Sequence, residues 1–145
     1  MLRKLFAVSL LLGGSLLVIC KKDAVRAELS NICSPENEKK YVVTSGFLND
    51  GGSVFCSNIG GGRMDCPFDV IAGPGGKRVF GADIEQGSGA SEIEKLPSSY
   101  KKEDIKIHDS NGGVINLSDK VTLTGQMSIA PDGSVCFMEV DKIEK

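Results

Sequence analysis

Hydrophobic and polar positions divide the chain into three stretches. From Leu5 to Ile19 the residues are almost all apolar, broken by Gly13-Gly14, and the run stops at Cys20 with Lys21, Lys22 and Asp23 directly behind it. Residues 21–38 are polar and irregular. From Lys40 onward the alternation has period two, as strands require. Tyr41 to Leu48 is β-branched and aromatic, and Asn49-Asp50-Gly51-Gly52 turns the chain. Ser53 to Asn58 reads as a second, short strand. Met64, Cys66, Phe68 and Val70 fall on one face of a third, whose Pro67 predicts an edge or a bulge. After the turn Gly73-Pro74-Gly75-Gly76, Arg78 to Ile84 places Phe80, Ala82 and Ile84 on one face. The period then changes. Ser91-Glu92-Ile93-Glu94 fits a capping box, which predicts a short helix over 92–96 that Pro97 ends. Strand logic returns at Ile105 and Ile107, and Asn111-Gly112 is a strong hairpin signal. Val121 to Ile129 alternates cleanly, with Gly125 in one inward slot. Pro131-Asp132-Gly133 turns the chain into a last strand, Val135 to Ile143.

The first stretch is an export signal: a basic start at Arg3-Lys4, then the apolar run. It is shorter than the ~20 residues of a spanning helix. Two processing routes fit. Val25-Arg26-Ala27 is a small-residue cleavage site that would release a soluble chain beginning at Glu28. Leu17-Val18-Ile19-Cys20 resembles the bacterial lipobox in its relaxed, spirochaete-type form, with Ile19 where a small residue is usual. Cys20 stands at the junction of apolar run and charges, which favours the second route. That resemblance implies a signal peptide over 1–19, an acylated (palmitate-carrying) Cys20, a tether over 20–38 partly pinned by Cys33, and a domain over 39–145. It also implies a membrane contact through the N-terminal lipid, at the outer membrane of a cell envelope.

Composition narrows the rest. The chain has 145 residues, five of them Cys, one His and no Trp. With one His, His108, a multi-His metal site cannot be built within the chain. No G-x-S-x-G places a serine nucleophile, and His108 is expected on an outward face beside Ile105 and Ile107. Beyond the first twenty residues, 15 basic residues face 19 acidic ones. A mildly acidic domain is a poor binder of phosphate backbones, so no nucleic-acid partner is expected. Apart from Cys20, four cysteines remain in an exported chain, and two disulfides are the default. Three connectivities exist. A turn about Gly61 sets Ser57 opposite Asp65 and Cys56 opposite Cys66, close enough to bridge. Elimination then pairs Cys33 with Cys136. Without CxxC spacing, neither zinc nor a redox pair is expected.

The order of strands, one short helix and further strands, with Gly inside strands, suits a small closed barrel. "KKYVVTSGFL" at 39–48, "NLSDKVTLTGQM" at 116–127 and "SVCFMEVDKIEK" at 134–145 resemble the first, fourth and fifth strands of the oligonucleotide/oligosaccharide-binding (OB) fold. The resemblance is to OB domains of bacterial periplasmic proteins and lipoproteins. The expected fold is therefore mainly β, an OB-like five-stranded barrel stapled by disulfides, with a β-sandwich as the alternative. Ligands of that fold use the face of the second and third strands and the flanking loops. Carried onto this chain, that points to Arg63, Lys77 and Arg78, near loops 73–77 and 109–113, while Phe80 reads as core.

Other patterns carry less. "GPGGKR" at 73–78 lacks both the leading Gly and the Ser/Thr of a phosphate loop. "DSNGG" at 109–113 spaces two oxygens as a calcium loop does, without its distal Glu. Asp83 and Glu85 share a strand face and read as solvated. The expectation is a non-enzymatic binding or structural module without metal or cofactor, anchored by lipid and meeting an envelope or extracellular protein partner. The alternative is a soluble periplasmic OB module for a small cation, sugar or peptide.

Overall fold

A computed structural model describes residues 22–58 and 64–145. The expected signal peptide over 1–19, Cys20 and Arg63 lie outside the described residues. Among the described residues nine strands run in chain order: β1 (Val25–Arg26), β2 (Tyr41–Asn49), β3 (Asp65–Ile71), β4 (Arg78–Gly87), β5 (Ile93–Glu94), β6 (Ile107–His108), β7 (Val114–Ile115), β8 (Lys120–Ile129) and β9 (Cys136–Glu144). Five of them close a barrel. β2 pairs antiparallel with β3, β3 with β4, β8 with β9 and β2 with β8, and β4 runs parallel to β9. Numbering the five in sequence, the circuit is first, second, third, fifth, fourth and back to the first. That is the OB-type barrel expected from the sequence.

The alternation read from sequence is what fills this barrel. Val42, Thr44 and Leu48 on β2, Cys66, Phe68 and Val70 on β3, and Phe80, Ala82 and Ile84 on β4 are buried. β8 sends in Val121, Leu123, Met127 and Ile129, and β9 sends in Met138, Val140 and Ile143. Each large apolar side chain withdrawn from water contributes about 1.5–3 kcal/mol against the entropy of ordering the strands. Closure also removes the unpaired edges that an open sheet of five strands would show. The β3–β4 pairing shifts register between Val70 and Ile71, and Pro67 points outward opposite Asp83. At the β8–β9 turn Gly133 has φ +70° and donates to the Ala130 carbonyl at 2.8 Å. Only glycine holds that conformation without strain.

Three local expectations change. Residues 92–96 are not helical: Ile93–Glu94 is strand β5, parallel to the end of β4. The helical turn of this connection is a 3-10 segment at Lys102–Asp104, where the Asp104 carboxylate accepts from the Lys101 N–H at 2.8 Å. Ser91 has φ +63°, outside any helix start, and its hydroxyl accepts from the Ile143 N–H at 2.9 Å. The stretch 53–58 forms a single bridge, Ser57 to Asp65, rather than a strand. Met64, expected on the buried face, precedes β3 and is exposed.

The segment before the barrel is more firmly held than Cys33 alone would require. β1 lies parallel to β2, with Val25 opposite Val42 and Arg26 opposite Val43, and the Ala27 N–H donates to the Val43 carbonyl at 3.0 Å. Ile32 is fully buried, and Asn37 donates its amide to the Asn31 and Ile32 carbonyls. Both expected bridges are present, Cys56–Cys66 argued from spacing and Cys33–Cys136 by elimination. Cys33–Cys136 has a Cα separation of 5.7 Å and closes 103 residues, while Cys56–Cys66 closes 10. By loop entropy the long bridge is worth about 4.7 kcal/mol and the short one less, about 2.5–3 kcal/mol.

Candidate functional site

Strand direction gives the barrel two ends. β2 and β4 both finish where β8 starts, so residues 50–58 and the connection 88–119 lie at one end. The turns 72–77 and 130–135 lie at the other, beside the start of β2. The residues suggested by the OB resemblance divide accordingly. Lys77 is exposed in the β3–β4 turn, and the 109–113 turn sits at the opposite end. The structure does not bring those two loops together.

Arg78 opens β4 and is committed within the fold. Its Nε stands 3.4 Å from an Asp69 carboxylate oxygen, and its guanidinium lies against Gly81, where an added Cβ would come within 2.8 Å of it. Asp69 and Gly81 are directly opposed across β3 and β4. The outer face here is a shallow groove floored by Gly81 with Pro67, Asp83 and Phe137 around it. Phe80 is core, 1 % exposed.

The end formed by 50–58 and 88–119 is more strongly shaped. The Asp50 carboxylate at the end of β2 forms an ion pair with Lys102 of the 3-10 turn. That hydrogen bond, helped by the Gly52 N–H, holds the Asp50 carboxyl below the usual carboxylate range. Tyr100 reaches across 44 residues of chain: its hydroxyl accepts from the Cys56 N–H at 3.0 Å and donates to the Val54 carbonyl at 3.3 Å. The Cys56–Cys66 bridge fixes the same loop from its other side. Between these two restraints Phe55 stands 76 % exposed, over a groove of about 450 Å³ that includes Ser53, Ser98, Ser99 and Tyr100. Sequence reasoning passed over Phe55, because within "SVFCS" it reads as an ordinary strand residue. Its projection depends on Tyr100, which no local pattern reveals.

His108 sits in a second groove at this end, beside Gly87, Ser88 and Glu94. It lies on β6 next to buried Ile107, as expected, but it is not free. Its Nδ1 is 3.0 Å from the Gly112 carbonyl and its Nε2 is 2.8 Å from a Glu94 carboxylate oxygen. Neither acceptor carries a proton, so both nitrogens donate only in the imidazolium. The Gly112 carbonyl first, then Glu94, raise the His108 pKa above its ordinary value. Ser88 shares the groove, yet both imidazole nitrogens point elsewhere.

The two weaker motifs resolve into structure. The Asp109 carboxylate is turned inward and accepts from the Asn111 and Gly113 N–H groups, both at 2.8 Å, so it shapes the β6–β7 turn. Asp83 and Glu85 share the outer face of β4, each with an interaction partner. Among the described residues, no group of three or more His, Cys, Asp or Glu side chains is placed to hold a metal ion. On the opposite flank, Lys22 lies over the Tyr41 ring, 5.5 Å from its centroid, in a depression shared with Asp23, Thr124, Asp141 and Lys142. Burial and the neighbouring Asp141 raise the Tyr41 pKa.

Set against known proteins, the chain matches no family model, no curated protein and no solved structure.

Proposed function

We propose that this protein is exported, anchored in the cell envelope by a lipid on Cys20, and acts there as a non-enzymatic binding or structural module for an envelope or extracellular protein partner. The observation that carries the reading is β1. Residues Val25 to Ala27 pair with β2 and belong to the folded unit. Cleavage after Ala27 would remove that strand from the mature protein, whereas processing at Cys20 keeps it whole. The two disulfides fit an oxidising compartment, which both export routes reach. The binding side of the reading draws on Phe55. An aromatic ring held out on a loop fixed from both sides is preorganised, and binding through it costs little ordering entropy.

Mass spectrometry of the native protein tests the anchor. The expected amino-terminal peptide begins at an acylated Cys20. An unmodified chain beginning at Glu28 overturns the reading in favour of a soluble periplasmic module.

A further inference from the structure

The distance between the anchor and the fold has a consequence of its own. A lipid anchor is commonly separated from its domain by a flexible linker, whose reach grows with the square root of its length. Here the chain is already against the barrel at Lys22, which lies over the Tyr41 ring, and is paired with β2 from Val25. Lys22 is two residue steps beyond Cys20, a reach of at most about 7 Å when fully extended. Val25 is five steps beyond it, at most about 18 Å. The headgroup region of one leaflet is about 5–8 Å deep. An acylated Cys20 at that depth leaves no length for the barrel to stand clear of the lipid.

The part of the barrel within that reach is chemically suited to it. Tyr41, half-buried, is the kind of amphipathic ring that settles at headgroup level. Lys22 and Lys142 carry amines on flexible stems that can follow phosphate oxygens, Lys142 by giving up its ion pair with Glu144 at 2.6 Å. Asp23 and Asp141 on the same patch keep it from being strongly basic, so the contact depends on the tether rather than on charge.

We propose that the flank of the barrel formed by Lys22, Asp23, Tyr41 and Lys142 docks directly on the phospholipid surface, fixing the orientation of the whole domain. This rests on the reading that Cys20 carries the lipid. β2 runs about 26 Å from Tyr41 to Asn49, and Asp50 just beyond it is tied to Lys102. The loop bearing Phe55 therefore lies at the far end of β2 from Tyr41.

The test uses the full acylated protein in phosphatidylcholine vesicles, with acetylation of lysines followed by mass spectrometry. The comparison is a variant with a flexible Gly/Ser insertion between Lys21 and Lys22, in the same vesicles. Lys22 and Lys142 should react several-fold more slowly in the natural chain than in the variant, while Lys95 and Lys101 react alike in both. Equal rates at Lys22 and Lys142, with acyl-Cys20 present in the same spectra, overturn the docking and leave the anchor standing. An unmodified amino terminus overturns both.

Discussion

His108 is the single histidine of the chain, and its two ring nitrogens each face an oxygen acceptor. The groups around it are Glu94 on β5, Lys106 just before β6, whose amine is 3.8 Å from Glu94, and the Gly112 carbonyl of the turn. Its pKa in the folded state lies above the unfolded value of about 6.5. Its contribution to stability is therefore complete below about pH 6.5 and is lost as the pH rises through the folded-state value. Being the only imidazole, it gives one unambiguous NMR titration, whose midpoint should fall above the unfolded value and move down in Glu94→Gln. A midpoint at or below the unfolded value refutes the two-acceptor geometry. Gly125 makes a different point about single residues. It sits at the β8–β9 irregularity, where an added Cβ would lie 2.0 Å from the Glu139 carbonyl oxygen and 2.8 Å from the Met138 Cγ. Backbone on the partner strand cannot step aside cheaply, so Gly125→Ala should cost about 3 kcal/mol or more. Gly133 has open space around it but a positive φ, so Gly133→Ala should cost only about 1 kcal/mol. Urea midpoints rank the two, and the reverse order would remove the steric argument.

β1 is two residues long, yet the two proposed processing products differ by it. A chain beginning at Lys22 keeps the Val25–Val42 pairing and the Ala27 hydrogen bond; one beginning at Glu28 loses both. At about 1 kcal/mol net for each backbone hydrogen bond, the shorter chain should be less stable by about 2 kcal/mol. Chemical denaturation of the two purified chains measures this, and equal stability would take away the strand's weight in choosing the processing site. β1 also shows where sequence legibility ends. The barrel strands were readable because each is half-buried, so Tyr41–Asn49 and Lys120–Ile129 carry period-two patterns long enough to fix face and register. The Cys56–Cys66 pairing was readable because a turn about Gly61 sets Ser57 against Asp65, the bridge observed. The stretch 88–119 was not, since β5, β6 and β7 are two residues each, too short to show any period. Its Ser91-x-x-Glu94 has the composition of a helix start, but long-range contacts take both ends: Ser91 serves Ile143 and Glu94 serves His108. Phe55 escaped for the same reason, its exposure being set by Tyr100.

At the scale of the molecule, the question is whether the 88–119 connection is a separate layer or part of the barrel. Ile93, Ile107 and Ile115 stand in register across β5, β6 and β7, and all three are buried in the same apolar cluster as Phe68, Phe80 and Leu123. The Ser91 hydroxyl and the Ser110 N–H both bond to Ile143 of β9, and Asp50 pairs with Lys102. One shared core with polar ties on two sides implies one cooperative unit. Ile107→Ala should then cost as much as a barrel-core deletion, about 2–5 kcal/mol. It should lower the midpoint of a single transition in which calorimetric and van't Hoff enthalpies still agree. If instead the connection melted in a separate, earlier transition while the barrel kept its original midpoint, its strands would be an appendage. The loop bearing Phe55 would then lose its ties to the Tyr100 hydroxyl and keep only the Cys56–Cys66 bridge.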